Sequence, residues 1–131
     1  MVFYGEYEVS FSAPGRIVVP KKIRDLLPGT TFVLSRGYGQ CLAGYARPDW
    51  DARAGDLVDV SLLDNEQIQK RRMIFSSASV VEIDEQGRFV IPKALVHIAD
   101  LSKKATIVGV GDHFEIWNEE AWQQESSTYH L

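Results

Sequence analysis

The sequence predicts a mainly β fold with short helices: a pseudo-symmetric β-barrel made by interleaving two internal repeats, with a helical connector between them. Three observations carry this reading. The phrase SAPGRIVVPKKIRDLL, from Ser12, returns as DEQGRFVIPKALVHIA from Asp84. A displacement of 72 residues superposes Arg16 on Arg88, Pro20 on Pro92 and Lys21 on Lys93. It then continues without a gap to Gly37 on Gly109, Gly39 on Gly111, Tyr45 on Trp117 and Trp50 on Trp122. Finally, each copy spells strand, turn, strand, short helix and hairpin, a unit too small to bury its own apolar face, so interleaving would cover the strand edges that either half leaves open. The boundaries expected are 5–50 for the first repeat, 51–78 for the connector, 79–123 for the second repeat and 124–131 for a short tail.

The elements follow in order. YEVSF (7–11) and SVVEID (79–84) are rich in β-branched and aromatic residues, and RIVVP and RFVIP read as second strands after a glycine-containing turn. Pro20 and Pro92 suit the first position of a short helix, where a missing N–H costs nothing. Ile23, Leu26 and Leu27, or Leu95 and Ile98, supply its buried stripe, and Pro28-Gly29 ends the first copy of it. TTFVLSRGYGQCLAGY (30–45) and KATIVGVGDHFEIW (104–117) each give two strands around a Gly-x-Gly turn. A helix starts after each, at Pro48 or Asn118, carrying Trp50 or Trp122. In the connector, Asp64 with Gln67 three residues on resembles a capping box, and Ile68, Ile74 and Phe75 give a partial apolar face to a helix over about 65–76.

Composition bounds the function. With 131 residues, 45 % hydrophobic and 24 % charged, the chain fits one ordinary globular domain. No apolar run approaches the roughly 20 residues that span a bilayer, and MVFYGEYEVS lacks the basic-then-apolar pattern of a signal peptide, so a cytoplasmic protein is expected. The single cysteine, Cys41, lies in the apolar stretch CLAGY and reads as a small packed hydrophobe. A formal net charge of −4 argues against a uniformly basic coat, so any nucleic-acid site must be local. Asp51, Asp56, Asp59, Asp64 and Glu66 gather in the connector ahead of Lys70, Arg71 and Arg72, which parks much of the negative charge there.

The doubled Gly-Arg-x-x-x-Pro unit, the leading FYGEYE, the DEQGR form of an Asp-x-x-x-Arg motif and the closing VGVGDHFEIWNEEAW together resemble the MraZ family. These are bacterial transcriptional regulators of the AbrB-like (SpoVT-AbrB) swapped-hairpin class, and the resemblance runs from about residue 3 to residue 124. It implies a double swapped-hairpin barrel in each chain and a homo-oligomeric, octamer-like ring. It also implies binding to short direct repeats in double-stranded promoter DNA and repression of the division and cell-wall gene cluster. A nucleoid-associated protein with no cofactor, metal, membrane or small-molecule substrate is expected. The family's DNA-facing arginine matches Arg16 and Arg88, the lysine after the proline matches Lys21 and Lys93, and the basic residue of the short helix matches Arg24, with Val96 in the second copy. Gly15, Gly87, Pro20 and Pro92 frame the motif. Asp84 supplies its acid, but the first copy has Ser12 there. A carboxylate four residues ahead of the arginine can fix the guanidinium by a charge-assisted bond, so its absence is expected to leave Arg16 less ordered, while Ser12 can still cap the turn through its hydroxyl.

The local charge count sharpens the site. Between 12 and 24 stand Arg16, Lys21, Lys22 and Arg24 with no acid, giving +4; between 84 and 96, Asp84 and Glu85 cancel Arg88 and Lys93, giving 0. The first copy is therefore expected to be the better phosphate magnet, and Arg16 to matter more than Arg88. Phosphate contacts position a protein on DNA, while an arginine reaching a guanine edge discriminates by about 1–3 kcal/mol. Arg16 and Arg88 are assigned to base or groove contact; Lys21, Lys22, Arg24 and Lys93 are assigned to phosphates.

Other features read blandly. GYG (37–39) and GVGD (109–112) do not complete a dinucleotide fingerprint and fit hairpin turns. His97, His113 and His130 lack metal-ligand spacing. Trp50, Trp117 and Trp122 suit core or subunit-interface packing. Asp112, His113 and Glu115 imitate an acid–base set, but alternate strand residues face opposite sides, so they need not converge, and no nucleophile with an oxyanion site stands beside them. A non-enzyme is expected. Two rivals to the regulator reading are an antitoxin of the same fold class and a ring-forming structural adaptor. The antitoxin usually carries one hairpin half and a long extension, and it is disfavoured by the brief QQESSTYHL after Trp122.

Overall fold

The computed structural model describes residues 2–59 and 64–129. The elements in chain order are β1 (Glu6–Ser10), β2 (Arg16–Val18), α1 (Lys21–Arg24), β3 (Thr31–Arg36), β4 (Leu42–Tyr45), α2 (Arg47–Val58), α3 (Asn65–Ser77), β5 (Ser79–Glu82), β6 (Arg88–Val90), α4 (Lys93–Ile98), β7 (Lys104–Gly109), β8 (Phe114–Asn118) and α5 (Glu119–Ser126). Six strands form one antiparallel sheet in the order β1-β7-β8-β4-β3-β5, and β2 pairs with β6 in a separate antiparallel ribbon. The leading strand of each repeat thus pairs with the other repeat's hairpin, β1 on β7 and β5 on β3, while β4 and β8 join the hairpins at the centre. The expected closed barrel is not formed. The sheet is open, with β1 and β5 as its edges among the described residues; the three-residue strands β2 and β6 pair with each other in a separate ribbon that meets those edges only at the turns, where Ser12 N–H donates to the Arg16 carbonyl and Asp84 N–H to the Arg88 carbonyl.

Strand alternation sorts the side chains into layers. Phe32, Leu34, Leu42, Ala105, Ile107, Phe114 and Ile116 face the ribbon and, with Ile17, Phe89, Ile23 and Leu95, make one buried cluster. Its aromatic rings meet edge-on, Phe32 to Phe89 at 5.0 Å and Phe3 to Phe114 at 5.5 Å. Burying each such large side chain contributes about 1.5–3 kcal/mol, enough in sum to hold two very short strands in place. The intervening residues Val33, Ser35, Ala43, Tyr45, Thr106 and Trp117 are buried on the opposite face, where α2 and α3 pack on β3 and α5 packs on β7 and β8. The repeat match seen in the sequence reappears there: Tyr45 meets Trp50, and Trp117 meets Trp122, each at 5.5 Å between ring centres.

The helices adjust the sequence reading at their ends. Pro20 and Pro92 are caps, not first helical residues; their extended backbone (ψ 140° and 139°) places the first helical turn at Lys21 and Lys93. α1 stops at Arg24, before Pro28-Gly29, and the chain continues in tight turns in which Leu26 and Leu27 donate to the carbonyls of Ile23 and Arg24. α2 begins at Arg47, with Pro48 in its first turn, and runs on to Val58. The Asp64 cap forms as expected, its Oδ1 accepting from the amides of Glu66 at 3.0 Å and Gln67 at 3.3 Å. Asn118 caps α5 by accepting from Ala121 N–H at 3.0 Å. Connector residues 60–63, and His130 and Leu131 of the expected tail, lie outside the described residues. No helix among those described is long and apolar enough to cross a membrane.

One feature of the ungapped repeat does not hold in space. Ser10 pairs with Lys104, but its counterpart Glu82 pairs with Thr31, so β3 and β7 correspond at a displacement of 73 residues, not 72. Counted from the first residue of its short helix, the second copy reaches β7 one residue later, Lys93 to Lys104 against Lys21 to Thr31, and it has one fewer residue in the hairpin turn, 110–113 against 37–41. The two changes cancel before Tyr45 and Trp117, which leaves the sequence match intact on both sides. Gly109 consequently ends a strand, whereas Gly37 lies beyond one.

Candidate nucleic-acid interface

In the β2–β6 ribbon Arg16 stands opposite Val90, Ile17 opposite Phe89, and Val18 opposite Arg88. Ile17 and Phe89, 0 % and 2 % exposed, point into the core. Period-two alternation therefore sends Arg16, Val18, Arg88 and Val90 to the outer face together. The arginines occupy one diagonal of this quartet and the valines the other. Arg16 and Arg88, from opposite repeats, are displayed on one surface.

Each ribbon strand is entered through a turn that requires a left-handed glycine, Gly15 at φ +75° and Gly87 at φ +80°. In the second turn Asp84 organises everything: Oδ1 accepts from the amides of Arg88 (2.8 Å) and Gln86 (2.9 Å), and Oδ2 accepts from Arg88 Nε (3.0 Å). The hydrogen bond from the Arg88 amide, aided by the guanidinium and the Gln86 amide, holds this carboxyl below its ordinary value. Both partners of the pair are solvent-accessible, so the bond's role is to orient Arg88 more than to stabilise the fold. In the first turn Ser12 Oγ accepts from Arg16 Nε at 3.1 Å and donates to the Arg16 carbonyl at 3.3 Å. Ser12 thus keeps the contact to Nε but supplies neither the charge nor the two amide bonds of its counterpart.

The turns are completed by the opposite repeat. Val19 donates to the carbonyl of Gly87 and Ile91 to that of Gly15, both at 2.8 Å. The Arg24 guanidinium lies over Gly87 so closely that a Cβ there would collide with it, and Val96 takes the matching position beside Gly15. Lys21, Lys22 and Arg24 therefore group with Arg88, while Lys93 groups with Arg16. Within the windows counted along the sequence, Arg88 and the three α1 cations set against Asp84 and Glu85 leave +2, and Arg16 with Lys93 also leaves +2. The expected +4 to 0 imbalance is levelled in space, and the ranking of Arg16 above Arg88 loses its basis. Lys21, Lys22 and Lys93 are exposed and Arg24 is half-buried.

Sequence reasoning missed two features here. Lys103, whose carbonyl accepts from Phe11 N–H at 2.9 Å, lines a cleft beside the Ser12–Gly15 turn although it lies outside the motif. Val18 and Val90 were readable from strict alternation, since the arginine two positions away fixes which side faces out. The acids of α2 and α3 lie across the sheet from this ribbon, as the helix packing on β3 requires.

The second charged cluster overturns an expectation. His113 does converge with its neighbours: Nδ1 lies 2.7 Å from Asp112 Oδ1 and Nε2 lies 3.5 Å from Glu115 Oε2. Residues 113 and 115, two apart, share a side, and Asp112 swings back from the turn. The imidazole also stacks on Tyr45 at 4.9 Å, and Glu115 accepts from Trp117 Nε1 at 2.9 Å. Burial alone would lower the His113 pKa, but the hydrogen bonds and charges of Glu115 and Asp112 raise it overall. Cys41 is fully buried, and that burial, reinforced by Glu115, pushes its thiol well above the ordinary range, so it is an unreactive packed side chain. His97 is exposed on α4, and both Gly-x-Gly stretches fall at hairpin connections.

Fold and site together define a two-repeat protein of mixed architecture, an antiparallel sheet with helices and a separate two-stranded ribbon, with Arg16 and Arg88 from the two repeats on one face. The family model described as "MraZ protein, putative antitoxin-like" matches the chain twice, over residues 2–72 and 74–130. The chain is 42 % identical over 123 residues to "Transcriptional regulator MraZ" of Lactiplantibacillus plantarum, covering 94 % of this chain and 86 % of the relative. It is 38 % identical over 122 residues to the protein of that name from Roseiflexus castenholzii (93 % and 85 %) and 36 % identical over 125 residues to that from Acetivibrio thermocellus (95 % and 87 %). The chain belongs to the MraZ family of transcriptional regulators.

Proposed function

We propose that the chain is a sequence-specific DNA-binding transcriptional regulator that presents the β2–β6 ribbon to promoter DNA. One observation carries the reading: Arg16 and Arg88, each held by the residue four positions earlier, share an outward face. A two-stranded ribbon fits the major groove, where the two arginines read base edges while Lys21, Lys22, Arg24 and Lys93 hold flanking phosphates. The cross-repeat pairing supports a double swapped-hairpin core with repeats at 5–50 and 79–123. Copies of the chain assemble into a ring on short direct repeats, where effective concentration multiplies weak individual sites and the acidic helices stay away from DNA. The regulated promoter is that of its own division and cell-wall gene cluster, which it represses as a cytoplasmic, nucleoid-associated protein. No step of this function uses a cofactor, a metal, a membrane, a small-molecule substrate or catalysis.

The test is to purify the native chain, measure its mass in solution and select bound fragments from its own genome, beginning with the segment upstream of its gene. An oligomer that enriches fragments carrying a repeated short motif is expected. An oligomer that ignores every fragment makes it a structural adaptor. The family description also carries the word antitoxin, and a stoichiometric small protein co-purifying with the chain would favour that second reading.

A further inference from the structure

We propose that Val18 and Val90 are specificity-determining residues that read thymine through its C5-methyl group. The inference rests on the DNA-binding reading above and goes beyond it by naming a base and an atom. Both valines are exposed, Val18 by 41 % and Val90 by 58 %, although the next residues, Val19 and Ile91, are 0 % and 2 % exposed. The ribbon could carry polar side chains on its outer face at no cost to the core; instead it carries two β-branched apolar ones.

Their placement supplies the chemistry. Val90 stands directly opposite Arg16 and Val18 directly opposite Arg88, so each valine has a guanidinium as its cross-strand neighbour. Facing residues of this kind stand about 4.5–5.5 Å apart at Cβ, one or two base steps along a duplex. In the major groove the only apolar feature of a base edge is the thymine methyl, and the preferred partner of an arginine is guanine. Each Arg–Val pair is thus built for a guanine with a thymine one or two steps away, and the pseudo-symmetric ribbon presents two such pairs. The positive charge of the arginines selects a polyanionic partner for this face over a second apolar surface.

The experiment uses the full chain and its own upstream duplex, titrated at one salt concentration with the thymines of the repeated motif replaced by uracil, one at a time and together, since uracil lacks only the methyl. Wild type should bind uracil DNA about fourfold more weakly per methyl read, the value expected for one buried carbon. Val18→Ala and Val90→Ala should bind thymine DNA more weakly by a similar factor, with unchanged melting and unchanged salt slope, and should each lose discrimination at their own thymine. Equal binding of thymine and uracil DNA by wild type overturns the methyl reading while leaving DNA binding in place. Retained discrimination in both variants overturns the assignment to these residues, and a fall in assembly mass shows that the valines cover a subunit contact instead. Failure to bind either duplex sinks the DNA-binding reading itself.

Discussion

Arg24 of the first repeat lays its guanidinium against Gly87 of the second, so the basic helix of one half serves the turn of the other. Gly87 is constrained twice, by its φ of +80° and by this contact, and Gly15 by its φ of +75° and by the Ile91 carbonyl 3.2 Å from where a Cβ would sit. An alanine in either place costs about 1–2 kcal/mol from the left-handed backbone alone. The Arg24 side chain is flexible and can swing clear, whereas the Ile91 carbonyl belongs to the backbone. Gly15→Ala should therefore lower the melting temperature at least as much as Gly87→Ala. A clearly larger drop for Gly87→Ala would show that Arg24 is rigidly held.

The levelled charge distribution changes the expectation for the arginines. Arg16→Ala and Arg88→Ala should each weaken binding to the upstream fragment by about 5–150-fold, the range of a lost guanine contact, and by similar factors. Titrations of both variants at one salt concentration check this. If one variant binds like wild type while the other fails, the two halves do not share a site.

Lysines assigned to phosphates should act differently. Lys22→Ala should weaken operator and unrelated DNA alike, and should reduce the slope of log affinity against log salt by about 0.9. A change confined to operator DNA would mean that Lys22 reads bases.

Asp84 makes a pH prediction. Its carboxyl is held below the ordinary value of 3.8 chiefly by the Arg88 amide, so the contribution of this turn is complete above that value and is lost as pH falls through the lower folded one. Ser12 has no such titration. Asp84→Asn should flatten the part of the acid limb of melting temperature against pH that lies below about 4. An unaltered acid limb would show that the Asp84 bonds do not form in solution.

Much of this architecture is legible in the sequence because it depends on local chemistry. The glycines that need positive φ, the period-two strands, the Asp64 cap and the Tyr45–Trp50 and Trp117–Trp122 pairs all follow from residues close together in the chain. What escaped depends on distant partners. A one-residue gain before β7 and a one-residue loss after it leave no trace in an ungapped match, yet they shift the β3–β5 register. Which turn Arg24 touches is decided by β2 pairing with β6 across 72 residues, and that pairing also redistributes the motif charge. The open sheet was missed because nothing local to RIVVP or RFVIP tells a strand that closes a barrel from one that caps a face.

The most direct measurement is the affinity of the double variant Arg16→Ala/Arg88→Ala for the duplex upstream of its own gene, with melting temperature and solution mass measured on the same sample. With fold and assembly intact, the variant should retain only weak, salt-sensitive binding indistinguishable from that to unrelated DNA. Operator affinity equal to wild type would contradict the assignment of the ribbon's outer face as the reading surface.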